Sequence, residues 1–84
     1  MSYSIIVEAP AERELRRLRN PIHQRISRAI DDLADNPRPA GCRKMQGQDA
    51  WRIRVGDYRI IYEIHDDKVL VIVIRIGHRS DVYR

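Results

Sequence analysis

The feature that most constrains the fold is the second half of the chain, where three short segments rich in β-branched and aromatic residues are separated by turn residues. Residues 50–55 alternate between polar and apolar side chains, and Gly56-Asp57 follows them as a two-residue turn signal. Residues 58–64 form a second run, and residues 65–68 turn the chain into a third run at 69–76. This pattern predicts a three-stranded antiparallel meander.

The first half begins with a short β-rich run at residues 3–8, which Pro10 ends. The period then changes to that of a helix, because Ala11, Leu15 and Leu18 recur at helical spacing until Asn20-Pro21 breaks the pattern. Proline is tolerated in the first turn of a helix, so a second helix is expected to start there. Its apolar stripe consists of Ile22, Ile26, Ile30 and Leu33.

Asn36-Pro37 ends the second helix, and residues 37–49 lack a sustained period, which predicts an ordered surface loop. The order of elements is therefore β-α-α-β-β-β. We expect an α+β fold in which a two-helix hairpin packs on one face of a small, mostly antiparallel sheet. At 84 residues the whole chain, 1–84, is expected to form one domain.

A two-residue turn at Gly56-Asp57 also fixes a register for the first hairpin. It pairs Val55 with Tyr58 and Arg54 with Arg59, which places three arginines on one face of the sheet: Arg52, Arg54 and Arg59. The opposite face becomes the core, because it carries the larger apolar side chains: Trp51, Ile53, Val55, Tyr58, Ile60 and Tyr62.

Like charges directly opposite each other destabilise a sheet, so the predicted pairing of Arg54 with Arg59 needs a reason. A phosphate held between the two guanidinium groups would supply one, because each guanidinium can form charge-assisted hydrogen bonds to an anion. Neutralisation by Glu63 or by an acidic partner segment is the alternative.

The same register, extended through the second turn, pairs Ile64 with Val69 and Arg59 with Ile74. It brings His78 to the arginine side at the end of the last strand, whereas Arg79 reaches that side only if Gly77 marks a bulge or the strand has ended. It also places an apolar patch on the arginine side, formed by Ile61, Leu70, Ile72, Ile74 and Ile76. Exposed apolar patches of this kind commonly mark protein interfaces, so a protein partner is expected.

Charge and composition favour a polyanionic ligand. Lysine and arginine together number 16 against 12 acidic residues, and all but Lys44 and Lys68 are arginine. The planar guanidinium matches phosphate oxygens, although a bias toward arginine codons would give the same excess. A single cysteine excludes an intramolecular disulfide, and the three histidines show no metal-binding spacing, so no cofactor is expected. The absence of a signal peptide or long apolar run predicts a cytoplasmic protein.

Two motifs resemble the RelE branch of the RelE/ParE superfamily of toxins. The first is Trp51-Arg-Ile-Arg-Val-Gly-Asp-Tyr-Arg-Ile-Ile-Tyr62, and the second is Gly77-His-Arg-Ser-Asp-Val-Tyr83. The resemblance implies a microbial RNase-like fold and a toxin that cuts messenger RNA in the ribosomal A site without a metal, by attack of the RNA's own 2′-hydroxyl. It also implies a cognate antitoxin that holds the toxin inactive in a hetero-oligomer.

By motif position, the resemblance assigns the site to Arg52, Arg54, Arg59, Arg79 and Tyr83. The best-known members of this branch carry lysines where this chain has Arg52 and Arg54. A guanidinium stays protonated at neutral pH, so the exchange preserves charge stabilisation and removes an acid or base role.

The resemblance and the chemistry of in-line attack suggest roles for these residues. Arg54 and Arg59 are assigned to the phosphate oxygens, and Arg52 and Arg79 to the RNA backbone or the leaving oxygen. Tyr83 is expected to act as a base or to stack on RNA, although a phenol would need a cationic surround to lose its proton near neutral pH. His78 is the rival acid or base, because an imidazole titrates near neutral pH. The structural alternative is a tyrosine that packs the tail and a solvated histidine.

Two other functions fit the same fold. A ParE-type toxin poisons DNA gyrase and cleaves no RNA, but it would not need the row of arginines. A non-catalytic module that binds RNA or a protein partner would use the arginines for phosphate binding only.

Overall fold

A computed structural model describes residues 2–78, which form a five-stranded sheet with two helices. The helices are α1 (Ala9–Arg17) and α2 (Ile22–Asp32), and the strands are β1 (Ser4–Val7), β2 (Arg43–Lys44), β3 (Trp51–Val55), β4 (Tyr58–His65) and β5 (Leu70–His78). A single 3₁₀ turn, Asp66–Lys68, joins β4 to β5.

The strands lie in the order β1-β5-β4-β3-β2, and β1 pairs with β5 in parallel while the remaining pairs are antiparallel. This confirms the predicted α+β class, the two-helix hairpin and the mostly antiparallel sheet. The sequence missed β2, which lies inside the segment predicted as a loop. A strand of two residues is too short to show an alternating pattern.

The predicted register of the first hairpin is confirmed in full. Val55 pairs with Tyr58, Arg54 with Arg59 and Arg52 with Ile61. Gly56 adopts a φ of 60° at the turn, a conformation that glycine reaches without the steric cost of a side chain. The turn residues therefore determined which side chains share a face.

The predicted register of the second hairpin is wrong. Ile64 pairs with Val71 rather than Val69, because the 3₁₀ turn and Val69, which has a φ of 51°, lengthen the connection. A further irregularity between Ile61 and Tyr62 shifts the pairing again, so Arg59 lies opposite Gly77 rather than Ile74. A bulge of this kind reverses which face the following side chains occupy, and no turn residue in the sequence marks it.

The core lies between the helices and the sheet. Both helices bury one apolar stripe there, with Ala11 of α1 and Ile26 and Ile30 of α2 at 0 to 4% exposure. All six residues predicted for the core face of β3 and β4 pack in this cluster. The shifted register adds Ile76, which pairs with Ile60 and is buried, so its predicted place on the arginine side is wrong.

A group of polar contacts fastens the start of the segment that leads to β2. Arg38 donates two hydrogen bonds to the carboxylate of Asp66 and lies 5.2 Å from the centre of the Trp51 ring. The Tyr3 hydroxyl donates to the same carboxylate at 2.6 Å. The hydrogen bonds from Arg38 and then from Tyr3 hold the pKa of Asp66 below its usual value. These contacts tie together β1, β3 and the turn between β4 and β5.

Tyr62 fixes the same segment from inside. Its side chain is fully buried, and its hydroxyl donates a hydrogen bond of 2.8 Å to the carbonyl of Pro37. Burial raises the pKa of the phenol above its usual range, with a further contribution from Cys42. The hydroxyl is therefore held in its neutral, donating form.

We expect Tyr62→Phe to lower the free energy of unfolding by about 1–3 kcal/mol, because the buried Pro37 carbonyl loses its partner. Urea denaturation at neutral pH measures the loss. Tyr58→Phe is the control, since it keeps the ring contact of Tyr58 with His78. Because burial raises the pKa of Tyr62, the phenol loses its proton at a lower pH in the unfolded chain than in the folded protein. Above about pH 10 this ionisation favours the unfolded chain of wild type, so the difference in stability between wild type and Tyr62→Phe should shrink. Equal stability of both proteins at neutral pH would contradict this role.

Candidate functional site

The face of the sheet that points away from the helices carries a group of arginines, which we call the arginine face. Arg54 lies directly opposite Arg59 across β3 and β4, and Arg52 precedes Arg54 by two residues on the same face. Residues two apart on a strand are separated by about 6.6–6.8 Å. The structure therefore brings together three of the six side chains that the sequence predicted for the site.

The three arginines differ in exposure, which gives each a different physical setting. Arg54 is exposed and Arg52 is half-buried, but Arg59 is only 5% exposed. The Nη1 of Arg59 donates to the carbonyl of Tyr58 at 3.3 Å. Arg59 also lies opposite Gly77, which has no side chain to compete for space on that face. Burial of a charge is costly unless the charge is well paired, so Arg59 depends on its hydrogen-bond partners more than the two other arginines do.

His78 lies on the other side of the sheet, contrary to the sequence prediction. It pairs with Tyr58, and the two rings meet edge to face with centroids 5.6 Å apart. Tyr58 in turn packs against the core on the helix side. The register shift in β4 and β5 reversed the expected orientation of His78, and its role as acid or base stays a prediction without support from this geometry.

Two predicted site residues, Arg79 and Tyr83, lie outside the residues that the structure describes. Their assignment therefore still depends on the second sequence motif. The strand that leads to them is described as far as His78, and its residue Gly77 lies opposite Arg59.

The sequence missed a fourth arginine on this surface. Arg43 pairs with Arg52 across β2 and β3, so a second pair of like charges lies beside the pair Arg54 and Arg59. Arg43, Arg52 and Arg54 line one shallow depression of about 530 Å³, together with Gly41 and Cys42. The signal was available only as the basic dipeptide Arg43-Lys44, which carries no information on orientation until its pairing with β3 is known.

An apolar patch adjoins the arginines on the same face. Ala50 and Ile61 are buried there, and Met45 and Ile74 pack against them. The predicted positions of Ile61 and Ile74 are thus confirmed, and the register also places Ile72 opposite Glu63. The Glu63 carboxylate lies 2.9 Å from Nε2 of His65, so the acidic residue considered as a partner for the arginines contacts a histidine.

The arrangement suits a ligand with negative charge and a flat apolar part. Clustered guanidinium groups can bind phosphate oxygens and stabilise charge that develops on them. Within residues 2–78 no group of three or more histidine, cysteine or acidic side chains could hold a metal ion. No helix among these residues is long and apolar enough to cross a membrane.

Comparisons with known proteins find toxins of toxin-antitoxin systems. Residues 5–83 match the family model described as the ParE toxin of the type II toxin-antitoxin system parDE. The chain is 32% identical to the toxin RelG of Mycobacterium tuberculosis, over 100% of this chain and 99% of that protein. It is 30% identical to the mRNA interferase toxin RelE of Escherichia coli, over 99% and 92% of the two chains.

A solved structure shows the same fold. The intact RelBE toxin-antitoxin complex of Escherichia coli contains a chain that superposes with a TM-score of 0.79 at 27% identity, over 92% of this chain and 96% of that chain. The two helices, the sheet and the positions of the strands are therefore shared with a toxin that has been seen bound to its antitoxin.

Proposed function

Since the chain belongs to the RelE/ParE superfamily of type II toxin-antitoxin toxins, we propose that it is a ribosome-dependent endoribonuclease. It cleaves messenger RNA in the ribosomal A site, inhibits translation and is neutralised by a cognate antitoxin. The curated relative from Escherichia coli is named an mRNA interferase, and this activity is the one we assign to the chain.

One observation carries the proposal: Arg54 and Arg59 lie directly opposite each other on neighbouring strands. A like-charged pair in this position costs roughly 0.2–1 kcal/mol relative to a neutral pair. The cost is offset when an anion binds between the two guanidinium groups. A phosphodiester of RNA has the charge and the geometry that two arginine forks recognise.

Cleavage follows from in-line attack. The 2′-hydroxyl loses its proton and its oxygen attacks the adjacent phosphorus, while the bond from phosphorus to the 5′-oxygen breaks. The leaving 5′-oxygen takes up a proton, so the products are a 2′,3′-cyclic phosphate and a 5′-hydroxyl. Arg54 and Arg59 hold the non-bridging oxygens and stabilise the charge that builds up on them. Because arginine supplies this charge, the reaction proceeds without a metal ion or other cofactor.

The two proton transfers need groups other than the arginines of β3 and β4. We assign the base to Tyr83 and the support of the leaving oxygen to Arg79, with Arg52 positioning the RNA backbone. A neighbouring group of cations favours the phenolate of a tyrosine, and the arginine face would provide such a group to a tyrosine beside it. His78 is disfavoured for either transfer, since it contacts Tyr58 on the helix side.

An antitoxin is the expected protein partner. The similar chain from Escherichia coli was solved with its antitoxin, and a protein that stops translation must be held inactive until it is needed. The arginine face and its apolar patch suit a segment that combines acidic and apolar side chains. Since its targets, ribosomes and messenger RNA, are cytoplasmic, we place the toxin in the cytoplasm.

A second function, inhibition of DNA gyrase, is favoured by one finding, the ParE description of the matching family model. That function would not require Arg54, Arg59 and Arg52 on a common face. The two functions differ in a direct assay, since only the gyrase inhibitor would block DNA supercoiling by purified gyrase.

The proposal is tested by brief expression of the toxin in growing cells, followed by mapping of cut sites on translated and untranslated copies of one transcript. We expect growth arrest and cuts in the translated copy alone. Growth arrest without RNA cleavage, together with blocked supercoiling, would assign the chain to the gyrase inhibitors. An absence of toxicity would leave a non-catalytic binding module.

A further inference from the structure

In the second pair of arginines, Arg43 and Arg52, Arg43 has no role in the chemistry described above, and Arg52 is assigned only to positioning the RNA backbone. We propose that Arg43 and Arg52 form a separate phosphate subsite, which binds the phosphate next to the one that is cleaved. This inference rests on the proposed function, because it names a further contact to the same RNA.

The first argument is position. Arg43 faces Arg52 across β2 and β3, as Arg54 faces Arg59 across β3 and β4. The two pairs share strand β3, where Arg52 and Arg54 are about 6.6–6.8 Å apart. A single extended strand of RNA that crosses the arginine face can therefore reach both pairs.

The second argument is charge. None of the ion pairs found among residues 2–78 involves Arg43, whereas its neighbour Lys44 lies 3.8 Å from a carboxylate oxygen of Asp49. Arg43 is also exposed, so its guanidinium is accessible to a ligand. Two guanidinium groups that face each other across neighbouring strands can both form charge-assisted hydrogen bonds to one phosphate.

The third argument is the surface around the pair. Arg43 and Arg52 line two adjoining depressions, of which one includes Arg54 and the other includes Met45. Met45 belongs to the apolar patch with Ile61, and Ile61 is the cross-strand neighbour of Arg52. Charged and apolar surfaces thus lie side by side, as a nucleotide with a phosphate and a base requires.

The test compares wild type with Arg43→Ala on ribosomes that carry a defined messenger RNA. The rate of cleavage is measured against toxin concentration at several KCl concentrations. We expect the concentration for half-maximal rate to rise about fivefold to tenfold, while the maximal rate stays within about twofold of wild type. The slope of its logarithm against the logarithm of the salt concentration should fall by about 0.7, the value for one lost phosphate contact on a single strand.

Two further variants give the comparison its controls. Arg43→Lys keeps the charge and should keep the salt slope, whereas Arg28→Ala on the exposed side of α2 should change neither quantity. An unchanged salt slope in Arg43→Ala, with wild-type cleavage intact, overturns the subsite and leaves the proposed function standing. Loss of antitoxin affinity without any change in cleavage also overturns it and assigns Arg43 to the protein partner. If the wild-type toxin cuts no RNA, the subsite falls together with the proposed function.

Discussion

Replacing Arg59 by Met is expected to lower the rate of ribosome-dependent cleavage by about 10²–10³-fold, the usual cost of removing one donor that stabilises developing charge. Arg59 is the most deeply buried arginine of the face, with only 5% of its surface exposed. Water cannot readily take the place of its guanidinium there, so the substitution removes the full electrostatic stabilisation that Arg59 gives to the developing charge. Methionine replaces the aliphatic part of the arginine with an unbranched apolar side chain that can fill much of the vacated space.

The effect of Arg59→Met is measured as single-turnover cleavage of messenger RNA on programmed ribosomes. Arg28→Met is the matched control, because it removes an arginine from the exposed surface of α2 and should leave the rate within about twofold. Arg59→Lys retains the charge but not the planar fork, so its rate should lie between those of wild type and Arg59→Met. Cleavage near the wild-type rate by a folded Arg59→Met protein would remove Arg59 from the mechanism.

The arginine face could be predicted from the sequence because a two-residue turn fixes a register. Gly56-Asp57 determined that Arg54 lies opposite Arg59, and the alternation of β3 then placed Arg52 on the same face. Turn chemistry and a period of two are local properties, which a sequence displays directly.

The register of β5 could not be predicted in the same way, because it depends on features without a sequence signal. A 3₁₀ turn lengthens the second connection, and the irregularity at Ile61 and Tyr62 shifts the strands once more. The longer connection shifts the pairing by two residues and leaves each side chain on its face, whereas the irregularity shifts it by one more and moves Ile76 into the core and His78 to the helix side. A wrong turn length or a missed bulge shifts the predicted pairing of every residue that follows it in the strand.

Arg43 illustrates a third case, in which orientation depends on a contact between distant segments. Strand β2 has only two residues and exists because it adds to the edge of β3. Its position is supported by contacts elsewhere, such as the hydrogen bond from Tyr62 to Pro37 and those from Arg38 to Asp66. Such long-range pairing cannot be inferred from the local pattern of residues 37–49.

Replacing Ile26 by Ala is expected to have the largest effect on stability, with a loss of about 2–5 kcal/mol in the free energy of unfolding. Ile26 is fully buried between α2 and the sheet, so removal of its side-chain atoms beyond Cβ leaves a cavity in a small core. The total stability of a small domain is about 5–15 kcal/mol, and this chain of 84 residues is at the small end. The free toxin should therefore approach the point at which a large fraction is unfolded.

Thermal and urea unfolding of the Ile26→Ala toxin, alone and with its antitoxin, measures both parts of this expectation. A partner that binds only the folded state stabilises it by mass action, so a saturating antitoxin should restore much of the lost stability. Ile6→Ala is the matched control, because Ile6 lies on β1 with 49% of its surface exposed and should cost less than about 0.5 kcal/mol in the free toxin. A cost for Ile26→Ala no greater than that of Ile6→Ala would contradict the assignment of the core to the interface between the helices and the sheet.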